Sequence, residues 1–171
     1  MRENLIKFLE ENKDKKIALF SDMDGVIAQF EFDYDNSIVN DHDGSFFLNK
    51  EPINTVINFY RELKKYDNLD FYILSACSYE HQAVSKSKWL EQYAPFFEKD
   101  KQIYVVKETV KYNKDNKSDI KTQFIDDKVK ECNYDYVLYF EDEYGMLRKA
   151  HKKLGNKIVC IHISNFLDWG E

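Results

Sequence analysis

Five short apolar runs, at 17–20, 70–74, 103–106, 136–140 and 158–161, alternate with segments whose apolar residues recur at helical spacing. Runs of near-continuous apolarity predict strands covered on both faces. Strand and helix in turn predict a three-layer α/β sandwich around a mainly parallel, Rossmann-like sheet. The helical segments are 4–10, with Leu5, Ile6, Phe8 and Leu9 inward, and 52–65, opened by Pro52 and lined by Ile53, Val56, Ile57, Phe59, Tyr60 and Leu63. The next, 80–93, has Val84, Trp89 and Leu90 as inner residues and is ended by Pro95. After a polar stretch read as a loop, 107–117, Ser118 caps a helix to Cys132, whose inner side is Ile120, Phe124, Ile125, Val129 and Cys132. A last helix, 144–154, is stopped by Gly155.

The 171 residues match the size of one compact domain and can bury a core without staples. With 31 acidic against 25 basic residues the net charge is -6, which disfavours coating an extended nucleic acid. The three cysteines, Cys77, Cys132 and Cys160, have no paired or metal-ligand spacing. No apolar run approaches the ~20 residues of a membrane span, and the N-terminus lacks a signal-like stretch. A reducing, cytoplasmic setting is the default, and no oligomeric state is implied.

In a parallel sheet, ligands bind beyond the carboxyl ends of the strands. Asp22-Met23-Asp24-Gly25-Val26 leaves the first strand, Ser75 the second, and Glu141-Asp142 the fourth. Gly25 permits a sharp backbone turn there. This set fits phosphoryl transfer. Carboxylates bind a hard cation such as Mg²⁺. A lysine and a hydroxyl can hold phosphate oxygens. Asp22 can attack phosphorus to give an aspartyl-phosphate. Asp24 can protonate the leaving alcohol and then deprotonate water.

With those residues in place, the chain from Ile17 to Ile161 resembles the haloacid dehalogenase superfamily of aspartate-nucleophile phosphatases. The resemblance implies Asp22 as nucleophile, Asp24 as acid and base, phosphate held at Ser75, Ala76 and Lys117, and Mg²⁺ held by Asp22, Asp142 and the main-chain carbonyl of Asp24. Within the superfamily the chain is most similar to the 5'(3')-deoxyribonucleotidases and their small bacterial or phage relatives. That similarity rests on 22–30, on Phe46-Phe47-Leu48-Asn49-Lys50-Glu51-Pro52-Ile53 and on Lys88-Trp89-Leu90. It implies a Mg²⁺-dependent phosphomonoesterase for nucleoside or deoxynucleoside monophosphates. The alternatives are another phosphomonoester, such as a sugar phosphate or a nucleic-acid terminus, or a non-catalytic phosphate-binding module.

Residues 29–51 read as a short, cap-like insert in a single domain spanning 1–171. The insert is smaller than the helical cap of these nucleotidases. It supplies Phe30 and Phe47, which can stack on a base or serve packing. Its own Asp41-His42-Asp43-Gly44 follows no strand pattern and reads as a loop. Lys107 and Lys121 compete with Lys117, which is preferred because it stands at a helix start. Phe124-Ile125-Asp126-Asp127 mimics the fourth motif but fits the helix following Lys117. Trp89 reads as packing, and Cys77 as a small buried group beside the phosphate loop. The four histidines show no metal-ligand spacing.

Overall fold

A computed structural model describes residues 1–30, 45–113 and 115–166. Five strands, β1 (Ile17–Ser21), β2 (Leu69–Cys77), β3 (Gln102–Val106), β4 (Tyr136–Glu141) and β5 (Ile158–His162), form one sheet in the order β3-β2-β1-β4-β5. Every pairing is parallel. The helices are α1 (Arg2–Glu11), α2 (Ser45–Leu48), α3 (Asn54–Leu63), α4 (Glu80–Tyr93), α5 (Lys107–Val110), α6 (Lys117–Cys132) and α7 (Tyr144–Leu154). The α/β sandwich with a parallel Rossmann-like sheet is therefore the fold. None of the described helices is long and apolar enough to cross a membrane.

The two faces of the sheet bury separate cores. Leu19, Ile73, Leu138 and Phe140 face a layer holding Leu5 and Leu9 of α1, Val56, Ile57 and Tyr60 of α3, and Trp89 and Leu90 of α4. Ala18, Phe20, Leu74, Val137 and Tyr139 face Ile125 and Val129 of α6 and Met146, Leu147 and Ala150 of α7. The chain winds outward from β1 through β2 to β3, then returns to β4 on the other side of β1. This leaves a topological switch point between β1 and β4, where open parallel sheets place their ligands.

Three local expectations need correction. Val84 is 55% exposed, because α4 buries the face carrying Gln82, Lys86 and Trp89 instead. The first residues of 107–117 form the single turn α5 rather than loop, and α6 begins at Lys117 with Asn116 before it, ahead of Ser118. The inner face of α6 does carry the expected apolar side, but Lys121, Thr122 and Asp126 are buried with it. Asp126 pairs with Lys130 and Lys153 inside the helical layer, so the Phe124–Asp127 stretch is helix and takes no part in the strand-end cluster.

Candidate active site

Alternation along the strands decides where the polar groups point. In β1, Ser21 pairs with Ile73 of β2 and Phe140 of β4, so Asp22 emerges between the two neighbouring strands. The Asp22 amide continues the ladder by donating to the Phe140 carbonyl at 3.0 Å. Asp22 shares its face with Phe20, and Glu141 shares its face with Tyr139, so both carboxylates turn toward the α6 layer. Ser75 follows Ile73 by two residues and turns toward the α4 layer.

A lysine arrives from each layer. Lys121 of α6 lies 3.0 Å from Asp22 Oδ2 and 2.7 Å from Glu141 Oε2, with almost no exposure. Lys86 of α4 donates to Asp24 Oδ2 at 2.7 Å, to Ser75 Oγ at 2.8 Å and to the Ala76 carbonyl at 2.8 Å. A third lysine, Lys50, reaches Asp24 Oδ1 at 2.5 Å. Its ammonium lies over the rings of Phe30, Phe46 and Phe47 at 5.6, 5.3 and 5.1 Å, a cation–π setting. Trp89 Nε1 donates to the Lys50 carbonyl at 2.8 Å and fixes that segment.

Of the three candidate lysines, Lys121 is the one beside Asp22. Lys117 stands on the same helix face as Lys121, but at the rim, where it pairs with Glu143 at 2.7 Å. Helical side chains tilt toward the helix N-terminus. A lysine one turn inside α6 therefore points back up to the strand ends, whereas one at the first residue overshoots them. Lys107 lines the cavity without touching Asp22 or Ser75.

Asp22, Glu141 and Asp142 each offer a carboxylate oxygen within 4.8 Å of the other two. Three crowded carboxylates against one ammonium are the donor set of a hard divalent cation. The side chain of Asp24 is not among them, because both its oxygens are taken by lysines. Glu141 is the third carboxylate of the set. Gly25, at φ +73°, closes the turn beside this cluster. A Cβ on it would sit 2.9 Å from Asp142 Cγ, so only glycine admits the approach. Behind the cluster, Tyr139 donates to Glu141 Oε2 at 2.6 Å, and His162 Nε2 lies 2.7 Å from the Asp142 carbonyl, its ring stacked on Tyr144.

The charges sort the carboxylates into two pairs. Burial pushes Asp22 up to about 6 despite Lys121. Burial, the bond to Glu141 and the Asp22 charge push Asp142 up to about 8. At Asp24 burial is outweighed by Lys86 and Lys50, which hold it at about 2. At Glu141 burial is likewise outweighed, chiefly by Lys121, and its acidity stays at about 2. Folded-state values raised above the ordinary 3.8 make the stabilising effect of Asp22 and Asp142 complete at low pH and lost as pH rises through about 6 and about 8. Depressed values make that of Asp24 and Glu141 complete above their unfolded values and lost as pH falls toward about 2. The cation-free protein should therefore melt lower at pH 8 than at pH 5. Millimolar Mg²⁺ should raise the melting temperature more at pH 8, since cation and proton compete for the same oxygens. A calorimetric scan at both pH values checks this, and an equal Mg²⁺ effect at both would refute the assignment of the cluster.

Of these carboxylates Asp24 lines a cavity of about 530 Å³. Its lining includes Asp24, Lys50, Lys86, Ala76, Phe30 and Phe47. Phe30 is 57% exposed and presents its ring, whereas Phe47 is 4% exposed and packs edge-on against Trp89 at 6.1 Å. Phe47 therefore packs against Trp89 while its ring also borders the cavity. Cys77 is buried beside Ser75 and burial pushes its thiol up to about 11, so it is a poor nucleophile. The insert closes at its base, where the Gln29 amide donates to the Glu51 carbonyl at 2.9 Å and the Ile53 amide to the Ile27 carbonyl at 2.7 Å. The second Asp-x-Asp-Gly, 41–44, lies outside the described residues.

Sequence reasoning placed Asp22, Asp24, Ser75 and Asp142 at strand ends that do meet. It gave no role to Lys50, Lys86 or His162. A faint signal exists for Lys86, which precedes Trp89 by three residues and so shares its buried face.

No protein-family model matches the sequence, and no curated protein is significantly similar to it. Among solved structures, the class C acid phosphatase from Bacillus anthracis superposes with a TM-score of 0.60 at 14% identity, over 94% of this chain and 72% of that one. A haloacid dehalogenase-like hydrolase from Burkholderia xenovorans LB400 gives a TM-score of 0.55 at 14% identity, over 86% of this chain and 82% of that one. The chain therefore has the haloacid dehalogenase-like fold, with an acidic cluster suited to a divalent cation at its switch point.

Proposed function

We propose that this protein is a Mg²⁺-dependent phosphomonoesterase working through an aspartyl-phosphate, with nucleoside or deoxynucleoside monophosphates as substrates. The observation that carries the reading is Asp22, buried at the switch point between Lys121 and the Glu141–Asp142 pair, with Ser75 and Lys86 beside it. A divalent cation held by Asp22, Glu141 and Asp142 would offset the repulsion between an attacking carboxylate and an anionic phosphate.

Lys121 keeps Asp22 oriented and adds positive charge where the transition state gathers negative charge. An Asp22 oxygen forms the bond to phosphorus as the ester oxygen leaves, and that oxygen takes up a proton as the alcohol departs. Water then attacks phosphorus, the Asp22–phosphorus bond breaks, and inorganic phosphate is released. Asp24 as found is ionised, which suits it to take the proton from that water. To donate to the leaving alcohol first, it must lose a lysine. An entering phosphate that draws Lys86 away from Asp24 would permit this. Ser75 and Ala76 then frame the phosphate from the β2 side. Lys121 takes the part first expected of Lys117.

Nucleotide preference rests on the family resemblance together with the exposed ring of Phe30 at the cavity mouth. The segment 29–51 acts in this reading as a small cap, and three free cysteines suit a reducing compartment such as the cytoplasm. The test is a screen of nucleoside monophosphates, sugar phosphates and a small aryl phosphate, with Mg²⁺ and with EDTA. Nucleotide turnover that EDTA abolishes is expected. Absence of turnover on every class, in protein shown to bind Mg²⁺, would sink the reading in favour of a non-catalytic module. Phe30→Ala should lower kcat/KM for nucleotides about tenfold, the value of one stacked base, with a smaller effect on the aryl phosphate. Equal losses would remove the stacking argument.

A further inference from the structure

The cavity is larger than the transferred phosphate needs, and its lysines are unevenly matched. About 530 Å³ is within the range of sites for whole small molecules, roughly 300–1,000 Å³. Four lysines line it: Lys50, Lys86, Lys107 and Lys117. Lys50 and Lys86 share Asp24, and Lys117 has Glu143. Among the described residues, Lys107 alone of the four has no carboxylate partner. It is the first residue beyond β3, at the same edge of the sheet as Asp22. Because β2 lies between β1 and β3, its backbone stands two strand spacings across from Asp22 and, by the register, four residues further along the strands, about 16 Å in all. That is too far to serve the phosphorus at Asp22 directly, and, less the reach of the lysine side chain, it is a span that one nucleoside can bridge. The local excess of positive charge stands out against a chain of net charge -6.

We infer that the substrate of this site carries a second phosphate on the same small molecule, seated on Lys107, at the part of the cavity beyond β3 and away from Asp24. The inference rests on the phosphatase reading above and narrows it. A molecule with phosphates at both ends of a nucleoside would place one at Asp22, its ring toward Phe30, and the other against the ammonium of Lys107. A monophosphate leaves Lys107 facing water.

The test compares a nucleoside 5'-monophosphate with the corresponding 3',5'-bisphosphate. Wild-type kcat/KM should favour the bisphosphate about tenfold, the expected value of one charge-assisted contact. In Lys107→Ala that ratio should collapse toward one, and in Lys107→Glu it should reverse. Lys107 is exposed, so neither substitution threatens the core. A wild-type ratio within twofold of one overturns the inference, as does a preference that survives both substitutions, and either leaves the phosphatase reading standing. Turnover of neither compound counts against that reading. Calorimetric titration of the Mg²⁺-loaded protein then decides the second-anion site by itself. Tighter binding of the bisphosphate that Lys107→Ala abolishes upholds it, and equal binding of the two overturns it.

Discussion

Asp22→Asn should keep the fold and reduce Mg²⁺-dependent phosphatase turnover by at least about 10⁴-fold, because it removes the nucleophile rather than a supporting contact. The amide has nearly the volume of the carboxylate and can still accept from the Met23 amide, a bond of 2.8 Å in the native chain. Lys121 retains Glu141 as partner. Removing one of three crowded carboxylates also relieves repulsion, so cation-free stability should hold or rise, while Mg²⁺ should protect the variant less. Steady-state kinetics beside thermal melts separate these effects. A clean Asp22→Asn preparation with unaltered turnover would exclude the aspartyl-phosphate route.

Lys121→Met should be the most damaging substitution for stability in the site. It strips the shared cation from Asp22 and Glu141, and both carboxylates are then buried unpaired. Breaking a buried pair in this way costs about 3–5 kcal/mol. For a chain of this size that lowers the melting temperature by on the order of 10 °C. Turnover should fall by about 10²–10³-fold at temperatures where the variant stays folded, since positive charge at phosphorus is lost. The companion Lys117→Met removes only a rim pair with half-exposed Glu143 and should cost less than about 1 kcal/mol. Melting curves of the two variants test the one-turn placement directly. Equal destabilisation by both would contradict the buried role of Lys121.

That one-turn difference marks where sequence reading stopped. The strands were legible from short, largely apolar runs, and the helices near 80–93 and 144–154 from the clear stops that bound them. Asp22, Ser75 and Asp142 were legible because their place after a strand is enough to aim them at the switch point. A lysine carries no comparable mark. Lys121 and Lys117 have the same helical phase, and only the depth of the helix against the sheet separates them. Lys86 lies among polar neighbours in Ser85-Lys86-Ser87-Lys88, yet it is buried on the face it shares with Trp89. The same blindness explains Val84, whose apolar side chain projects from α4 while a lysine two residues on turns inward. Asp24 does leave β1 at the carboxyl end of the sheet, but its two lysine partners come from 26 and 62 residues away. No local pattern encodes such a meeting.

The position of Lys86 has a consequence for how any ligand is weighed here. Its ammonium already bonds Ser75 Oγ, the Ala76 carbonyl and Asp24, the groups among which the proposed reaction would seat its phosphate. Association is then an exchange of partners, not an addition of contacts. A guest gains from Lys86 only the difference between its own attraction and the one Asp24 gives up. Affinities measured at this site will accordingly understate the strength of the new bonds. Trimming Lys86 will not subtract a single contact, since it also releases Asp24 from one of its two restraints. The site is its own competitor, with the competing ligand tethered to a helix.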